Sequence, residues 1–266
     1  MTKIFAPALL LLVMSCNNGP DVKTGTGDPS TKADEPVALS YSVVDTFPHD
    51  TSSYTQGLVI YKGEMYEGTG NKGRSHLMKV DVATGKATKK IPLDPKYFGE
   101  GVTILRDTVY QLTWQEHVVL VYTLPDFKKV KEYKLNTDGW GLTNDGSSLI
   151  VSDGSSNLYY YDPSSFSLQR TQEVNESGQA VFNLNELEMI DGYIYANQYL
   201  TPNILKIDPS SGIVVAKLNM EKLVARAASL NPQGDVLNGI AYDSTTRKIY
   251  VTGKLWPELY QVEFSK

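Results

Sequence analysis

From Leu39 onward the chain is built of short runs in which apolar and polar residues alternate, each bounded by turn residues. Tyr193-Ile194-Tyr195-Ala196-Asn197 and Lys248-Ile249-Tyr250-Val251-Thr252 are representative. Period-two runs of β-branched and aromatic residues predict strands, not helices. The runs recur as a unit. A leading phrase appears five times, as Gln56-Gly57-Leu58, Glu100-Gly101-Val102, Trp140-Gly141-Leu142, Asn185-Glu186-Leu187 and Asn238-Gly239-Ile240. Its second positions, 57, 101, 141, 186 and 239, lie 44, 40, 45 and 53 residues apart. A turn follows each phrase, at Lys62-Gly63, Arg106-Asp107, Asp145-Gly146, Asp191-Gly192 and Ser244-Thr245-Thr246. Asp-Gly is a favoured hairpin turn. Returning strands are predicted after these turns, and third strands at Leu77–Asp81, Val118–Tyr122, Leu158–Asp162, Ile204–Asp208 and Leu259–Phe264.

A fourth strand follows in the first four units, as at Ile213–Leu218, but not in the fifth. The β-like segment Leu39–Val44 can supply it from the other end of the folded part. The pattern therefore predicts an all-β fold, a five-bladed β-propeller closed by an N-terminal strand, with no unpaired edge left by the ring. The long spacing of 53 contains Met220–Leu230, whose composition predicts one short helical insertion between the fourth and fifth units. The regularity of the repeat disfavours a β-sandwich. Missing Trp-Asp and Gly-His punctuation argues against the WD40 type.

The segment before the first strand has a different character. Lys3 is the only charge ahead of the apolar run Ile4–Met14, which is too short to span a bilayer but suits the core of a signal peptide. Val13-Met14-Ser15-Cys16 resembles a bacterial lipobox, with Met14 where a smaller residue is usual. That resemblance implies a lipoprotein signal peptide over residues 1–15, lipidation of Cys16, and a protein anchored in the bacterial cell envelope, facing the periplasm or the exterior. Residues 16–36 are rich in Gly, Pro, Ser, Thr and Asp and predict a flexible tether. The propeller then occupies 37–266.

Composition narrows the partners. With 25 basic against 30 acidic residues and a net charge of -5, the chain offers no electrostatic footprint for nucleic acid. One cysteine excludes an internal disulfide framework and a zinc finger, and His49, His76 and His117 share no ligand spacing. Asp153–Asn157 is an acidic polar loop that reads as a plain turn more readily than as a cation site. Nothing points to an obligate assembly, so a monomer is expected.

In a propeller the innermost strand of each blade lines the central channel, so equivalent repeat positions converge on one mouth. Here these are Gln56, Glu100, Trp140, Asn185 and Asn238. Varied polar groups with one aromatic suit a small pocket that orients a polar ligand. A lone carboxylate among neutral neighbours is partly desolvated, which raises its pKa toward a range useful for proton transfer. Tyr54, Phe98, Trp114 and Tyr199 lie near these positions and would make apolar walls. Lys254 opens a late loop and could add a cation.

The phrases Tyr54-Thr55-Gln56-Gly57-Leu58, Phe98-Gly99-Glu100-Gly101-Val102, Gly139-Trp140-Gly141-Leu142, Leu184-Asn185-Glu186-Leu187-Glu188, Leu237-Asn238-Gly239-Ile240-Ala241 and Thr252-Gly253-Lys254-Leu255-Trp256-Pro257 resemble the plant and bacterial type of glutaminyl cyclase. The resemblance runs from about Val43 to Phe264. It implies a five-bladed propeller enzyme, with no catalytic metal or cofactor, that cyclises N-terminal glutamine of peptides and proteins to pyroglutamate and releases ammonia. It places the catalytic carboxylate on Glu100 and the substrate-binding positions on Tyr54, Gln56, Phe98, Trp114, Trp140, Asn185, Tyr199 and Lys254. Tyr199 stands where Trp is more usual, and Tyr54 where Phe is common.

The donor for the developing charge on the γ-oxygen is left open among Gln56, Asn185 and Lys254. Two other functions fit a propeller. A lipid-anchored binding module would need no proton carrier at Glu100. A metal-dependent hydrolase of the lactonase kind wants several carboxylates at the leading position, where only Glu100 stands, with Glu186 one place on.

Overall fold

The computed structural model describes residues 35–265. The predicted signal peptide, Cys16 and the tether up to residue 34 lie outside the described residues. Three four-stranded antiparallel sheets follow one another along the chain. The first comprises Thr55–Tyr61, Glu64–Thr69, His76–Asp81 and Lys86–Pro92. The second comprises Gly99–Leu105, Thr108–Thr113, Val118–Thr123 and Lys128–Lys134. The third comprises Leu142–Asn144, Leu149–Ser152, Asn157–Tyr161 and Leu168–Glu173.

Apart from one small hairpin, the remaining strands form one eight-stranded sheet. Half of it is Leu184–Ile190, Tyr193–Gln198, Asn203–Ile207 and Val214–Asn219; the other half is Leu237–Asp243, Lys248–Gly253 and Glu258–Ser265. Val37–Pro48 joins the halves. Residues Val37–Leu39 pair in parallel with Ala216–Leu218, and Ser40–Pro48 then pair antiparallel with Glu258–Ser265. The first strand is thus longer than the predicted Leu39–Val44, because it serves two partners in turn.

Turn chemistry sets the hairpins. Lys62-Gly63 (φ 53 and 76) and Asp191-Gly192 (φ 48 and 81) carry positive φ at both central residues, which matches the right-handed twist of the strands they join. Arg106-Asp107 does the same without glycine (φ 51 and 62). There the Asp107 amide donates to Tyr61 Oη at 3.0 Å and its carboxylate meets Lys62 Nζ at 2.6 Å.

The five leading strands pack side by side in cyclic order, each against the next and the last against the first, which gives a propeller-like arrangement. Between neighbouring units lie separate apolar layers. Val59, Leu77, Val102, Val109 and Leu120 fill the first, and Leu58, Met65, Val80, Ala241 and Leu259 join the fifth unit to the first. Each such buried side chain contributes roughly 1.5–3 kcal/mol. The fourth strands Lys86–Pro92 and Lys128–Lys134 are largely exposed, and their lysines discourage pairing with another chain.

The predicted helix spans Glu221–Leu230, with Met220 just before it. Leu223 and Ala227, one turn apart, face a layer that includes Leu237, Trp256 and Tyr260. Arg226 pairs bidentately with Glu258 at 2.7 Å. The helix therefore braces the segment that follows it, Asn231–Val236, beside the loop of Lys254. A small hairpin, Asn175–Glu176 with Gln179–Ala180, stands outside the repeat and was not predicted.

Candidate active site

In four of the five units the leading position is aimed by a defect in strand pairing. Pairing of the leading strand with its neighbour slips between Thr55 and Gly57, Gly99 and Val102, Leu184 and Leu187, and Leu237 and Ile240. A bulge leaves the intervening residue unpaired and re-aims its side chain. In this way Gln56, Glu100, Asn185 and Asn238 leave the sheet alternation together. In the third unit the strand begins only at Leu142, so Trp140 precedes it. The glycine after the leading residue has a packing reason. A methyl group at 57, 101 or 141 would lie 2.3 Å from Val102 N, 2.6 Å from Leu142 N or 1.9 Å from Asn185 O, all backbone of the next unit.

All nine residues singled out in the sequence, Tyr54, Gln56, Phe98, Glu100, Trp114, Trp140, Asn185, Tyr199 and Lys254, line one pocket of about 240 Å³. Asn238 does not reach it. Fully buried, it donates through Nδ2 to Thr55 O at 3.0 Å and to Gln56 Oε1 at 3.3 Å. That fixes the Gln56 amide, whose Nε2 donates to Glu100 Oε1 at 3.3 Å.

Glu100 is 5% exposed. Burial pushes its carboxyl well above the ordinary value; Lys254 opposes the shift, while Glu116 and Asp138 add to it. Lys254 is as buried, at 3% exposure. Burial lowers its pKa against the pull of Glu100 and Asp235. Its ammonium lies 4.8 Å from the Tyr54 ring centroid and 5.1 Å from that of Tyr199. Such faces attract a cation without consuming its donors. Asn185 Oδ1 is buried with no hydrogen-bond partner among the described residues. The site thus holds a carboxyl, an ammonium and an amide whose hydrogen-bonding capacity the other described residues leave partly unused.

Aromatic rings form the walls in edge-to-face contacts: Tyr54 with Phe98 at 6.2 Å, Phe98 with Trp114 at 5.6 Å, and Trp140 with Tyr199 at 5.5 Å. Backbone close behind them fixes the rings. A Cβ at Gly70 would stand 2.4 Å from the Phe98 ring, and one at Gly154 2.8 Å from Trp140. Gly154 belongs to the acidic loop, where Asp153 Oδ1 accepts from Ser155 N at 3.0 Å and from Ser155 Oγ at 2.5 Å, an Asx turn. The loop supports a pocket wall.

Several supporting residues carried no sequence signal. Asp235 accepts from Tyr54 Oη at 2.9 Å, and Glu116 from the Phe98 amide at 3.0 Å. His49, read from the sequence as merely structural, is buried against Glu67, Nε2 to Oε1 at 3.3 Å, while its Nδ1 lies 2.8 Å from Trp256 O. Burial alone would lower its pKa, but Glu67 raises it overall. Thr55 Oγ1 donates to the same Glu67 oxygen at 2.7 Å. One buried acid–base pair therefore ties the Tyr54–Gln56 strand to the Lys254 loop.

Three likenesses agree with this geometry. The sequence pattern of the glutamine cyclotransferase family matches residues 11–264. A glutaminyl-peptide cyclotransferase of Arabidopsis thaliana is 40% identical over 228 residues, 84% of this chain and 71% of the plant protein. The crystal structure of Myxococcus xanthus glutaminyl cyclase aligns with a TM-score of 0.82 at 33% identity, covering 87% of this chain and 99% of that one. With a family pattern along nearly its whole length and a fold that the bacterial enzyme shares, the chain belongs to the glutamine cyclotransferase family of enzymes.

Proposed function

We propose that this chain converts the N-terminal glutamine of peptides and proteins to pyroglutamate with release of ammonia, with Glu100 as the single proton carrier and no metal ion in the reaction. On the same reading the five units are blades of one ring, closed by Val37–Pro48 against Glu258–Ser265. The observation that carries the proposal is the setting of Glu100, a buried carboxyl in a pocket walled by aromatic rings and shared with a lysine ammonium.

The α-amine of the substrate attacks its own γ-amide carbon. A nitrogen–carbon bond forms, the carbon–nitrogen bond of the amide breaks, and ammonia leaves. Both reacting groups belong to one residue, so holding the folded rotamer between Phe98, Trp114 and Trp140 supplies much of the rate enhancement. One proton must travel from the attacking nitrogen to the departing one. Burial moves the Glu100 pKa upward, which makes its carboxylate a better base toward the attacking amine. Charge developing on the γ-oxygen calls for a donor, and the Lys254 ammonium makes no hydrogen bond to another described residue. Asn185 can fix the α-amine or the amide. The donor set suits a metal-independent route: the pocket offers one carboxyl, and among the described residues no group of three or more His, Cys, Asp or Glu is placed to hold an ion.

The test is ammonia release from a short Gln-initiated peptide by the soluble form starting near Val37, with a chelator present. Wild type is expected to turn over and Glu100→Gln to lose activity. A folded wild type inert on several such peptides would sink the enzyme reading and leave a binding propeller.

We also propose that Cys16 is lipidated and anchors the protein in a bacterial envelope, on the strength of the Val13–Cys16 phrase and the polar stretch after it. In cells making the full chain, Cys16→Ser is expected to move the protein from the membrane to the soluble fraction. Membrane retention of that variant refutes the anchor.

A further inference from the structure

The pocket encloses about one residue. At about 240 Å³ it falls below the range, roughly 300–1,000 Å³, of sites that engulf a drug-sized ligand. A peptide whose first residue fills it must therefore carry the second and later residues out across the rim. On one side that rim is polar, with the Lys72–Glu116 pair at 2.8 Å next to the Phe98–Trp114 wall. The side beyond Trp140 and Tyr199 is different. Leu200, the residue after Tyr199, is 70% exposed, and Phe182 is 56% exposed. Hydrogen bonds tie their segments to the wall: Tyr199 N donates to Asn183 O at 2.8 Å, and the Gln198 side chain donates through Nε2 to Phe182 O at 3.3 Å.

Single exposed apolar residues are ordinary on protein surfaces. Position distinguishes these two. Leu200 sits at φ +65, a backbone conformation that asparagine or glycine adopts with less strain, and the turn holds it there through the Thr201 hydroxyl, which donates to Gln198 O at 2.8 Å. Phe182 forms part of a second, open depression of about 690 Å³ with a mixed lining, in which Ala38 and Val181 stand beside Gln198 and the Lys217–Glu176 ion pair. One flank of that depression is the hairpin Asn175–Glu176 with Gln179–Ala180, an addition to the four-strand pattern. Loops added to a rigid scaffold beside a site are where binding preferences are set.

We infer that a ledge of Leu200 and Phe182 receives the second and third residues of the substrate peptide and favours apolar side chains there. The inference rests on the cyclase reading and adds a substrate preference to it. The partner is a short extended peptide, because Leu200 directly follows Tyr199 of the pocket wall and Phe182 precedes Asn183, which accepts from the Tyr199 amide.

The experiment compares kcat/KM for glutamine amide, Gln-Gly-Gly, Gln-Asp-Glu and Gln-Phe-Leu, using wild type and the double variant Phe182→Ser, Leu200→Asn. Both positions are exposed, and asparagine suits the Leu200 backbone. Wild type is expected to prefer Gln-Phe-Leu over Gln-Gly-Gly by roughly tenfold, the scale of a partly filled apolar subsite. The double variant should bring those two within about twofold while glutamine amide is unaffected, since only transition-state contacts beyond the first residue are removed. Equal turnover of all four by wild type removes the ledge and leaves the cyclase. A double variant that slows glutamine amide as much as Gln-Phe-Leu also removes it. Turnover of none of the four removes the cyclase reading and the ledge together.

Discussion

Glu100 and Glu186 differ by one step in the repeat, the first at the leading position of unit two and the second one place on in unit four. Both carboxyls are buried, at 5% and 1% exposure, and burial pushes both pKa values well above the ordinary range. Their surroundings differ in what is left unused. Glu186 occupies the place that glycine holds in the other four units, and its side chain reaches two other units. Oε1 accepts from Leu58 N at 3.2 Å and Oε2 from Ile240 N at 2.9 Å, so unit four is tied to units one and five. Glu188 adds to its pKa rise, while those two amides oppose it. Glu100 has one bond from the protein among the described residues, the 3.3 Å contact from Gln56, and it faces a pocket. Both carboxyls are buried; unspent hydrogen-bonding capacity beside a cavity is what separates the two.

Substitution should split the pair cleanly. Removing the proton carrier costs about 10²–10⁴ in kcat, which is the largest effect expected in the molecule. Glu100→Gln should show that loss at unchanged or slightly raised Tm, because a neutral amide avoids the burial of a charge. Glu186→Ala should do the reverse. It leaves two buried backbone N–H groups without partners at about 1–3 kcal/mol each, which urea unfolding would report, while kcat per folded molecule stays near wild type. Loss of turnover in Glu186→Ala at unchanged stability would break the distinction, as would a large stability loss in Glu100→Gln.

The sequence made one of these carboxyls conspicuous and hid the other's purpose. Repeat position was enough to bring Gln56, Glu100, Trp140 and Asn185 to one mouth, because a unit repeated around an axis must superpose its equivalent residues. Turn pairs such as Asp191-Gly192 were equally legible, since positive φ is a local requirement with a local signature. Bulges were not. They show only as slips between paired strands, and glycine after the leading residue does not track them, since unit three has the glycine without a slip and unit four the slip without the glycine. Glu186 breaks the Gly pattern, and its partners Leu58 and Ile240 are distant in sequence. The His49–Glu67 pair escaped for the same reason: its meaning depends on Thr55 and Trp256, which only the fold brings near. The hairpin at Asn175–Ala180 carries two-residue strands, too short for any alternation to register.

Lys254 offers the finest test, since it shares the pocket with Glu100 and has no counterpart among the neighbours that raise or lower the Glu186 pKa. Its ammonium opposes the rise that burial imposes on the Glu100 carboxyl. On the proposed reading Glu100 works as a base at the start of the cycle, so the acid limb of kcat/KM is expected above the ordinary carboxylate range. Lys254→Met removes the cation and keeps most of the apolar stem. Without that attraction the charged form of Glu100 is less favoured, so its pKa climbs further and the acid limb moves to higher pH. The same peptide is used throughout, which holds the ionisation of the substrate amine constant. A shift toward lower pH would mean that the limb belongs to another group, and an unmoved limb with reduced kcat would confine Lys254 to holding the γ-oxygen. In Glu186→Ala the limb should stay where it is in wild type, because that carboxyl is spent on backbone amides and takes no part in the proton's path.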